Sequence, residues 1–466
     1  MQIRVFRHYL SLPILLLAQA ESCALVGAVY LSALVRFNGS LDAAAGAVGS
    51  IFPRATAFAA SAIVCMVAMG LYSVRQRAKA SGLTVRIAAG FAAAGVLMAL
   101  LSYVDHDLYM WRGWLLISVA LGFALVVLVR FAFGRIVNED IFKRRVLVFG
   151  AGRQASSLAT LRRRTDQRGF SILGYLPSGG EKISVPAERL VKAEGGLFNY
   201  CTQCRVDEIV IAMDDRRRAF PVHELLECRL AGIEVLDLVS FLERESGRVR
   251  LDILNPGWII FGNGFRRDTL RQATSRAFDL FASLSLLTLA WPVMLLTAIA
   301  IKLDDGLHAP VLYPQTRVGL HGLKFKVLKF RSMRTDAELG GKPQWATSSD
   351  ARVTRVGRFI RKTRIDELPQ LINVLAGDMG FVGPRPERPE FVDELSETIP
   401  YYRERHSVKP GLTGWAQLCY PYGSSEHDAA EKLQYDLYYV KNHTLLFDLA
   451  ILLQTCEVVM LGKGAR

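Results

Sequence analysis

The residues predict a membrane protein with three parts. These are an N-terminal four-helix transmembrane bundle, an α/β Rossmann-like cytoplasmic module, and an α-rich (α+β) domain with a re-entrant membrane helix hairpin. Three observations lead there. Of 466 residues 51% are hydrophobic and 21% charged, with a mean hydropathy of +0.23, which excludes a disordered chain and strains an ordinary soluble one. The long apolar runs crowd into the first 135 positions. Against them stand 57 Lys+Arg and 43 Asp+Glu, a net charge of +14 that calls for an anionic partner: nucleic acid, phospholipid or a phosphorylated substrate. Seven scattered cysteines make no disulfide framework.

Residues 1–140 hold the bundle. Four stretches approach or exceed the ~18 residues a bilayer requires: roughly Tyr9–Val35, Ala55–Tyr72, Leu83–Val104 and Tyr109–Phe133. Glu21 in the first predicts a face packed inward against the other helices. That first run is too long for the apolar core of a signal peptide, and three more follow it. Basic residues in the short loops set the orientation. Arg4 and Arg7 precede the first span; Arg75, Arg77, Lys79 and Arg86 link the second to the third; Arg135, Lys143, Arg144 and Arg145 follow the fourth. Both ends of the bundle, and both soluble domains after it, are expected on the cytoplasmic side of a bacterial inner membrane.

Residues 141–262 read as the α/β module. Arg145–Phe149 (RVLVF) suits a buried strand and runs into Gly150-Ala-Gly152-Arg-Gln-Ala155, then a helix-like stretch to Arg164. In this G-x-G-x-x-A turn, small residues let a helix N-terminus approach a pyrophosphate, so Gly150 and Gly152 are candidate nucleotide-binding positions. Asp207–Met213 and Gly232–Leu238 suit later strands. No clear acidic residue ends a second strand to hold a ribose, and a module used for packing or regulation is the preferred reading. Cys201 and Cys204 lack the second ligand pair of a zinc site and are expected to be buried and unreactive.

Residues 263–466 form the third part. Phe278–Ile301 is apolar enough for a fifth span, but Arg266, Arg267, Arg271 and Arg276 precede it, and Lys302, Arg317, Lys324, Lys326, Lys329 and Arg331 follow it. A crossing would export the second basic cluster. Pro292 inside the segment lacks an N–H and clashes with the preceding turn. Two half-helices that enter and leave by one face, a hairpin over 278–301, satisfy both observations; a Pro-kinked fifth span is the alternative. The C-terminal stretch Leu445–Leu461 contains Asp448, Gln454 and Glu457 and reads as a core or interface helix.

The chemistry concentrates between Lys324 and Glu387. Lys324–Met333 alternates basic and apolar residues as a strand does, a pattern expected to aim the basic side chains to one face. Six basic residues and no acid lie between Arg352 and Arg364, with Val353, Val356, Phe359 and Ile360 as a helical apolar stripe. Alone, such a helix more often lies on anionic lipid or binds nucleic acid. Asp366-Glu367-Leu-Pro369-Gln then opens a helix that Gly377 ends, with Asp366 where an N-cap would be. Gly383-Pro-Arg385-Pro-Glu387 presents one arginine between two prolines, and arginine's planar fork suits phosphate. Paired carboxylates among arginines are the kit for phosphoryl transfer.

These motifs carry a resemblance. Tyr313-Pro-Gln315-Thr-Arg317-Val-Gly319, Lys329-Phe-Arg331-Ser-Met, Arg364-Ile-Asp366-Glu367-Leu-Pro-Gln, Gly383-Pro-Arg385-Pro-Glu and Lys409-Pro-Gly411-Leu-Thr-Gly414-Trp415 occur in one order. The region from about Arg276 to Arg466 resembles the catalytic domain of bacterial polyprenyl-phosphate sugar-phosphate transferases, the monotopic phosphoglycosyltransferases, and the whole chain resembles their large members. Asn255-Pro-Gly-Trp258, Glu431-Lys-Leu-Gln-Tyr-Asp436 and Gly464-Ala-Arg466 are similar to the exosortase-associated exopolysaccharide subgroup. The resemblance implies transfer of a sugar 1-phosphate from a UDP-sugar to undecaprenyl phosphate, with release of UMP. In that scheme Asp366 attacks the β-phosphorus, Glu367 ligates Mg²⁺, and Lys329, Arg331 and Arg385, with Arg364 and Arg317 behind them, bind phosphate. Membrane lipid is a further expected partner, nucleic acid drops out, and a homodimer is a candidate assembly. Two departures stand out: Trp291 precedes Pro292 where the family often has Ser, and His308-Ala309-Pro310 replaces a Gly-Pro approach. His406 is expected on the surface or lining substrate. An NAD-dependent sugar-modifying domain and a non-enzymatic nucleotide-sensing scaffold are the rival readings.

Overall fold

The structure is a computed structural model that describes residues 2–5, 8–72, 80–136, 143–159, 169–215, 220–254, 257, 269–306, 308–334, 352–420 and 425–460. The chain divides into two compact units, Met1–Glu245 and Ser246–Arg466. Arg7, Arg75, Arg77, Lys79, Arg266, Arg267 and the closing Gly464-Ala-Arg466 lie outside the described residues, as does most of Asn255–Trp258.

The first unit opens with a short antiparallel pair, β1 (Gln2–Val5) and β2 (His8–Ser11). Helices follow: α1 (Leu12–Arg36), α2 (Leu41–Val48), α3 (Ile51–Ala68), α4 (Ala80–Val104) and α5 (Arg112–Ile136). The turn helix α2 was not expected; the Ser40 hydroxyl caps it by accepting from the Ala43 N–H. α1 packs on α3 and α5, and α4 packs on the same two. Leu25, Phe58, Met66, Phe91 and Trp114 fill the space between them. As expected, Glu21 points inward: it is buried, pairs with Arg130 at 2.6 Å and accepts from the Tyr72 hydroxyl. Val96, Leu100, Leu116, Leu128 and Phe131 face outward, an arrangement suited to lipid.

The α/β module comprises β3 (Arg144–Phe149), α6 (Arg153–Ala159), β4 (Phe170–Leu176), α7 (Leu197–Gln203), β5 (Glu208–Ile211), α8 (Val222–Leu230), β6 (Glu234–Asp237) and α9 (Leu238–Ser246). Its strands are parallel in the order β4-β3-β5-β6. Parallel strands covered by helices need apolar residues on both faces, which is why the runs around Val146–Val148 and Ile209–Ile211 are unbroken. At one end of β3 and β5 lies a charged cluster. Glu208, fully buried, pairs with Arg144 at 2.9 Å and Arg244 at 2.5 Å, and Glu245 bridges the same two arginines.

The second unit is mixed α and β. Its long helix α10 (Thr269–Asp305) contains Pro292. The expected division of 278–301 into two half-helices is not seen: helix runs through the proline, whose missing N–H leaves one carbonyl of the preceding turn unserved without ending the element. Including α10, five helices among the described residues are long and apolar enough to cross a membrane: Leu15–Arg36, Ile51–Ala68, Arg86–Val104, Arg112–Phe133 and Thr269–Asp305. β7 (Leu312–Val318) and β8 (Lys324–Phe330) pair antiparallel. α11 (Arg355–Lys362) and α12 (Gln370–Ala376) pack along α10. β9 (Gly380–Val382) and β10 (Gly411–Thr413) form a parallel pair. α13 (Pro389–Thr398), α14 (Trp415–Cys419), α15 (Glu426–Asn442) and α16 (Leu445–Met460) complete the unit. As read from sequence, α16 is a packing helix: Phe447, Asp448 and Ile451 are buried, and Asp448 accepts from the Tyr439 hydroxyl at 2.7 Å. Phe359 departs from the expected stripe and is 62% exposed, while Ile360 is buried against Ile301 and Phe330.

Arg244→Met tests the cluster in the module, because it leaves Glu208 and Glu245 short of a partner in the interior. Loss of one side of a buried pair is expected to lower unfolding free energy by about 3–5 kcal/mol. Denaturation of the full chain, followed by a probe in the α/β module, reads it.

Candidate active site

Asp366 and Glu367 lie in a sharp turn between α11 and α12. Arg364 takes a left-handed conformation (φ 61°, ψ 14°), and Ile365–Glu367 form one turn of 3-10 helix. Pro369 then leads into α12 with no N–H to leave unserved. The far end of α12 is closed by Gly377 (φ 96°) and by Arg276, which donates to the Val374 and Leu375 carbonyls at 2.6 and 2.7 Å. The N-cap reading of Asp366 does not hold. α12 starts beyond it, and the Asp366 Oδ1 is buried with no hydrogen-bond partner among the described residues.

The two carboxylates are held differently. Arg385 donates from Nη2 to Glu367 Oε1 at 2.6 Å, and Arg364 Nη1 approaches the same oxygen at 3.4 Å. Burial would raise the Glu367 carboxyl, but Arg385, Lys329 and Arg364 outweigh it and hold the group down at about 2. Asp366 is pushed up to about 6, first by burial and then by the Glu367 charge, against Lys329, Arg364 and Arg385. Desolvation pulls the Lys329 ammonium down to about 8; Glu367 opposes this, and Arg385 and Arg317 add to it. One carboxylate is thus locked as an anion. Its neighbour titrates near neutrality with an oxygen free to react.

Four of the five expected cations, Lys329, Arg317, Arg364 and Arg385, are brought near one another or into contact with the loops around the turn, but not as the sequence pattern suggested. Lys324 and Lys326 point to solvent, whereas Lys329 lies three positions on and so falls on the opposite face of β8 with Val327. The basic side chains therefore do not share a face. Arg317, Val327, Lys329, Gln370, Arg385 and Pro386 line a small cleft. Arg317 mainly holds the neighbouring loop, donating to the Gln315 Oε1 at 2.7 Å and the Pro386 carbonyl at 3.1 Å. Arg331 goes elsewhere: it is buried and pairs with Asp305 at the end of α10, at 2.7 Å.

Residues 270–462 match the family described as Bacterial sugar transferase. The chain is 32% identical over 381 residues to the UDP-glucose:undecaprenyl-phosphate glucose-1-phosphate transferase of Escherichia coli (strain K12), a match covering 79% of each chain. The chain belongs to the bacterial sugar transferase family. It is also 41% identical over 242 residues (52% of this chain) to the UDP-N-acetylgalactosamine-undecaprenyl-phosphate N-acetylgalactosaminephosphotransferase of Aeromonas hydrophila, and spans little more than half (56%) of that protein's length. With the exopolysaccharide production protein PSS of Rhizobium leguminosarum bv. phaseoli it shares 42% identity over 196 residues, 41% of this chain and 96% of the other.

In this member of the family two motifs are coupled by close backbone contact. A Cβ on Gly411 would lie 2.0 Å from the Gly383 nitrogen, one on Gly414 2.2 Å from the Gly383 oxygen, and one on Gly383 2.4 Å from the Lys409 oxygen. Only glycine lets the two segments approach so closely. Sequence reasoning missed several supporting residues. Asn373 on α12 donates to the Lys326 carbonyl (2.8 Å) and accepts from the Leu328 N–H (2.9 Å), fixing the strand that carries Lys329. Arg405 and Asp436 form an ion pair at 2.7 Å behind the Arg385 loop; Asp436 stood inside a quoted motif, but nothing in the spacing showed that the two meet. His406, expected on the surface or lining substrate, is buried instead, and desolvation followed by Arg405 and Arg403 takes it down to about 3.

The glycine turn of the α/β module has its own occupants. The Asp214 carboxylate accepts the Arg153 and Gln154 N–H groups, both at 2.8 Å, where a phosphate would otherwise sit. Glu181 accepts from Ala151 at 3.0 Å and from the Asp214 N–H at 2.8 Å. A Cβ on Gly152 would lie 2.3 Å from Asp214 Oδ2, so that glycine makes room for a side chain of the same protein. Cys201 is buried, its thiol pushed up to about 12 chiefly by desolvation, in keeping with an unreactive cysteine.

No group of three or more His, Cys, Asp or Glu gathers as a metal site among the described residues. Both arginines bond Glu367 at Oε1, leaving Oε2 to serve a cation. One carboxylate oxygen completed by substrate phosphate and water suits Mg²⁺, which seldom takes an all-protein cage.

Proposed function

We propose that this chain transfers a sugar 1-phosphate from a UDP-sugar to undecaprenyl phosphate, releasing UMP, and so begins exopolysaccharide assembly at the cytoplasmic face of the inner membrane. The observation that carries this reading is the buried, unbonded Asp366 oxygen beside an anionic Glu367 and a group of cations. Asp366 attacks the β-phosphorus, the bond from that phosphorus to the bridging oxygen breaks, and UMP leaves with the electron pair. An oxygen of the lipid phosphate then attacks the same phosphorus, and the aspartate leaves as a carboxylate. Lys329, Arg385 and Arg364 offset the charge of the phosphates, and no proton need be removed from the nucleophile. Glu367 would hold Mg²⁺, which when bound supplies further neutralisation of phosphate charge. The names of the relatives support the donor and acceptor classes, and a homodimer belongs to the same reading.

The filled glycine turn disfavours the rival NAD-dependent reading, since a pyrophosphate would have to displace two carboxylates. The first four long helices are read as a four-span bundle. α10 is read as re-entrant, bent at Pro292, because both its ends meet elements of one domain: Arg276 bonds α12 and Asp304 accepts from Val356 on α11.

Three outcomes test the reading. Asp366→Asn is expected to abolish UMP release over a panel of UDP-hexoses and UDP-N-acetylhexosamines with undecaprenyl phosphate present, while membrane insertion and melting temperature stay unchanged; retained turnover would remove Asp366 as nucleophile. The rate of UMP release should follow a bell in pH. It falls as pH drops through about 6, where Asp366 takes up a proton, and falls again as pH rises through about 8, where Lys329 loses its charge. Single cysteines placed after Ile301 should be labelled only from the cytoplasmic side, and labelling from outside would convert α10 into a crossing helix.

A further inference from the structure

We propose that the buried Arg405–Asp436 pair is a positioning device: it fixes the peptide of Arg385, and through Arg385 the ionised Glu367. The inference rests on the transferase reading above and names residues that reading leaves out.

The Arg385 loop has few handles of its own. Pro384 and Pro386 lack N–H groups, so the loop is held mostly by donors reaching its carbonyls from outside. Each carbonyl has one. Gly411 N–H donates to Pro384 O at 2.9 Å, Arg317 to Pro386 O at 3.1 Å, and Arg405 Nη2 to Arg385 O at 3.0 Å. The last of these comes from a side chain only 5% exposed, whose guanidinium is paired with an Asp436 only 2% exposed and donates from Nη1 to the Tyr402 hydroxyl at 2.8 Å. A buried ion pair contributes little to stability compared with apolar residues of the same volume. Its planar fork, however, aims three partners in fixed directions. One of those directions ends on the residue that grips Glu367 at 2.6 Å. Arg405 and Asp436 do not line the cleft, so they act through Arg385 and not on substrate.

The test uses the full chain with a UDP-sugar and no lipid acceptor, so that each competent active site releases one UMP. Burst amplitude counts folded sites; the burst rate constant reports the chemistry. Arg405→Lys keeps a charge for Asp436 but lacks the planar fork that meets Asp436, Tyr402 and the Arg385 carbonyl in fixed directions, and Arg405→Met with Asp436→Leu replaces the pair by apolar volume. Both are expected to keep wild-type amplitude and to lower the rate constant about 10-fold to 100-fold. A purely structural role would do the reverse, lowering amplitude at an unchanged rate constant, and that result overturns the proposal. If neither variant folds, Tyr402→Phe decides: it removes one oxygen next to Arg405, and a rate constant about twofold to fivefold lower supports the proposal, whereas a wild-type value overturns it. A wild-type protein without any UMP burst would overturn the transferase reading itself, a different failure from a burst that ignores Arg405.

Discussion

The ion pair between Arg385 and Glu367 sets the charge state of the Asp366–Glu367 turn, and much of the second unit holds its two ends in place. Adjacent carboxylates repel, and burial adds to the cost of charging both. Arg385 stabilises the Glu367 anion, while burial first and the Glu367 charge second leave the Asp366 carboxyl with a raised affinity for protons. The glycines at 383, 411 and 414 allow the Arg385 loop to lie against the β10 segment, while Asn373 ties Lys329 to the same helix that follows the turn. Backbone packing and site electrostatics are therefore one problem here.

Sequence patterning reached most of the element types and drew attention to the segment in which Asp366, Glu367 and Arg385 meet. It could not resolve details that depend on distant contacts. The inward placement of Glu21 was legible because a charge in a lipid-facing run must find a partner within the protein. Asp366 was taken for a cap position because the local pattern of a polar residue before an apolar helical stretch does not distinguish a cap from a 3-10 turn. The facing of Lys329 was misread for a countable reason: three positions separate it from Lys326, and an odd step changes the face of a strand. Phe359 looked like core by periodicity, yet α11 is short and packs only one narrow stripe against α10. Arg331 was read as a phosphate ligand by its motif, and its Nη2 pairs with the nearby Asp305, a contact that no local spacing shows.

Glu181 and Asp214 show the same limit from another side. A glycine-rich turn between a strand and a helix was correctly read, but its occupant came from positions ~30 and ~60 residues away, beyond any local signal. Helix N-termini favour anions in general, and a protein's own carboxylate satisfies that preference as well as a nucleotide does. In this structure α6 starts on an internal ligand, the Asp214 carboxylate.

Arg364 carries one more consequence. Its left-handed backbone costs a residue with a side chain roughly 1–2 kcal/mol that glycine would not incur. Glycine there would make the chain easier to fold and would take away a guanidinium that faces Glu367. Relief of backbone strain and retention of charge beside a buried carboxylate thus pull this position in opposite directions. A programme of stabilising substitutions guided only by backbone geometry would choose 364 early, and would strip a cation from beside Glu367 by doing so.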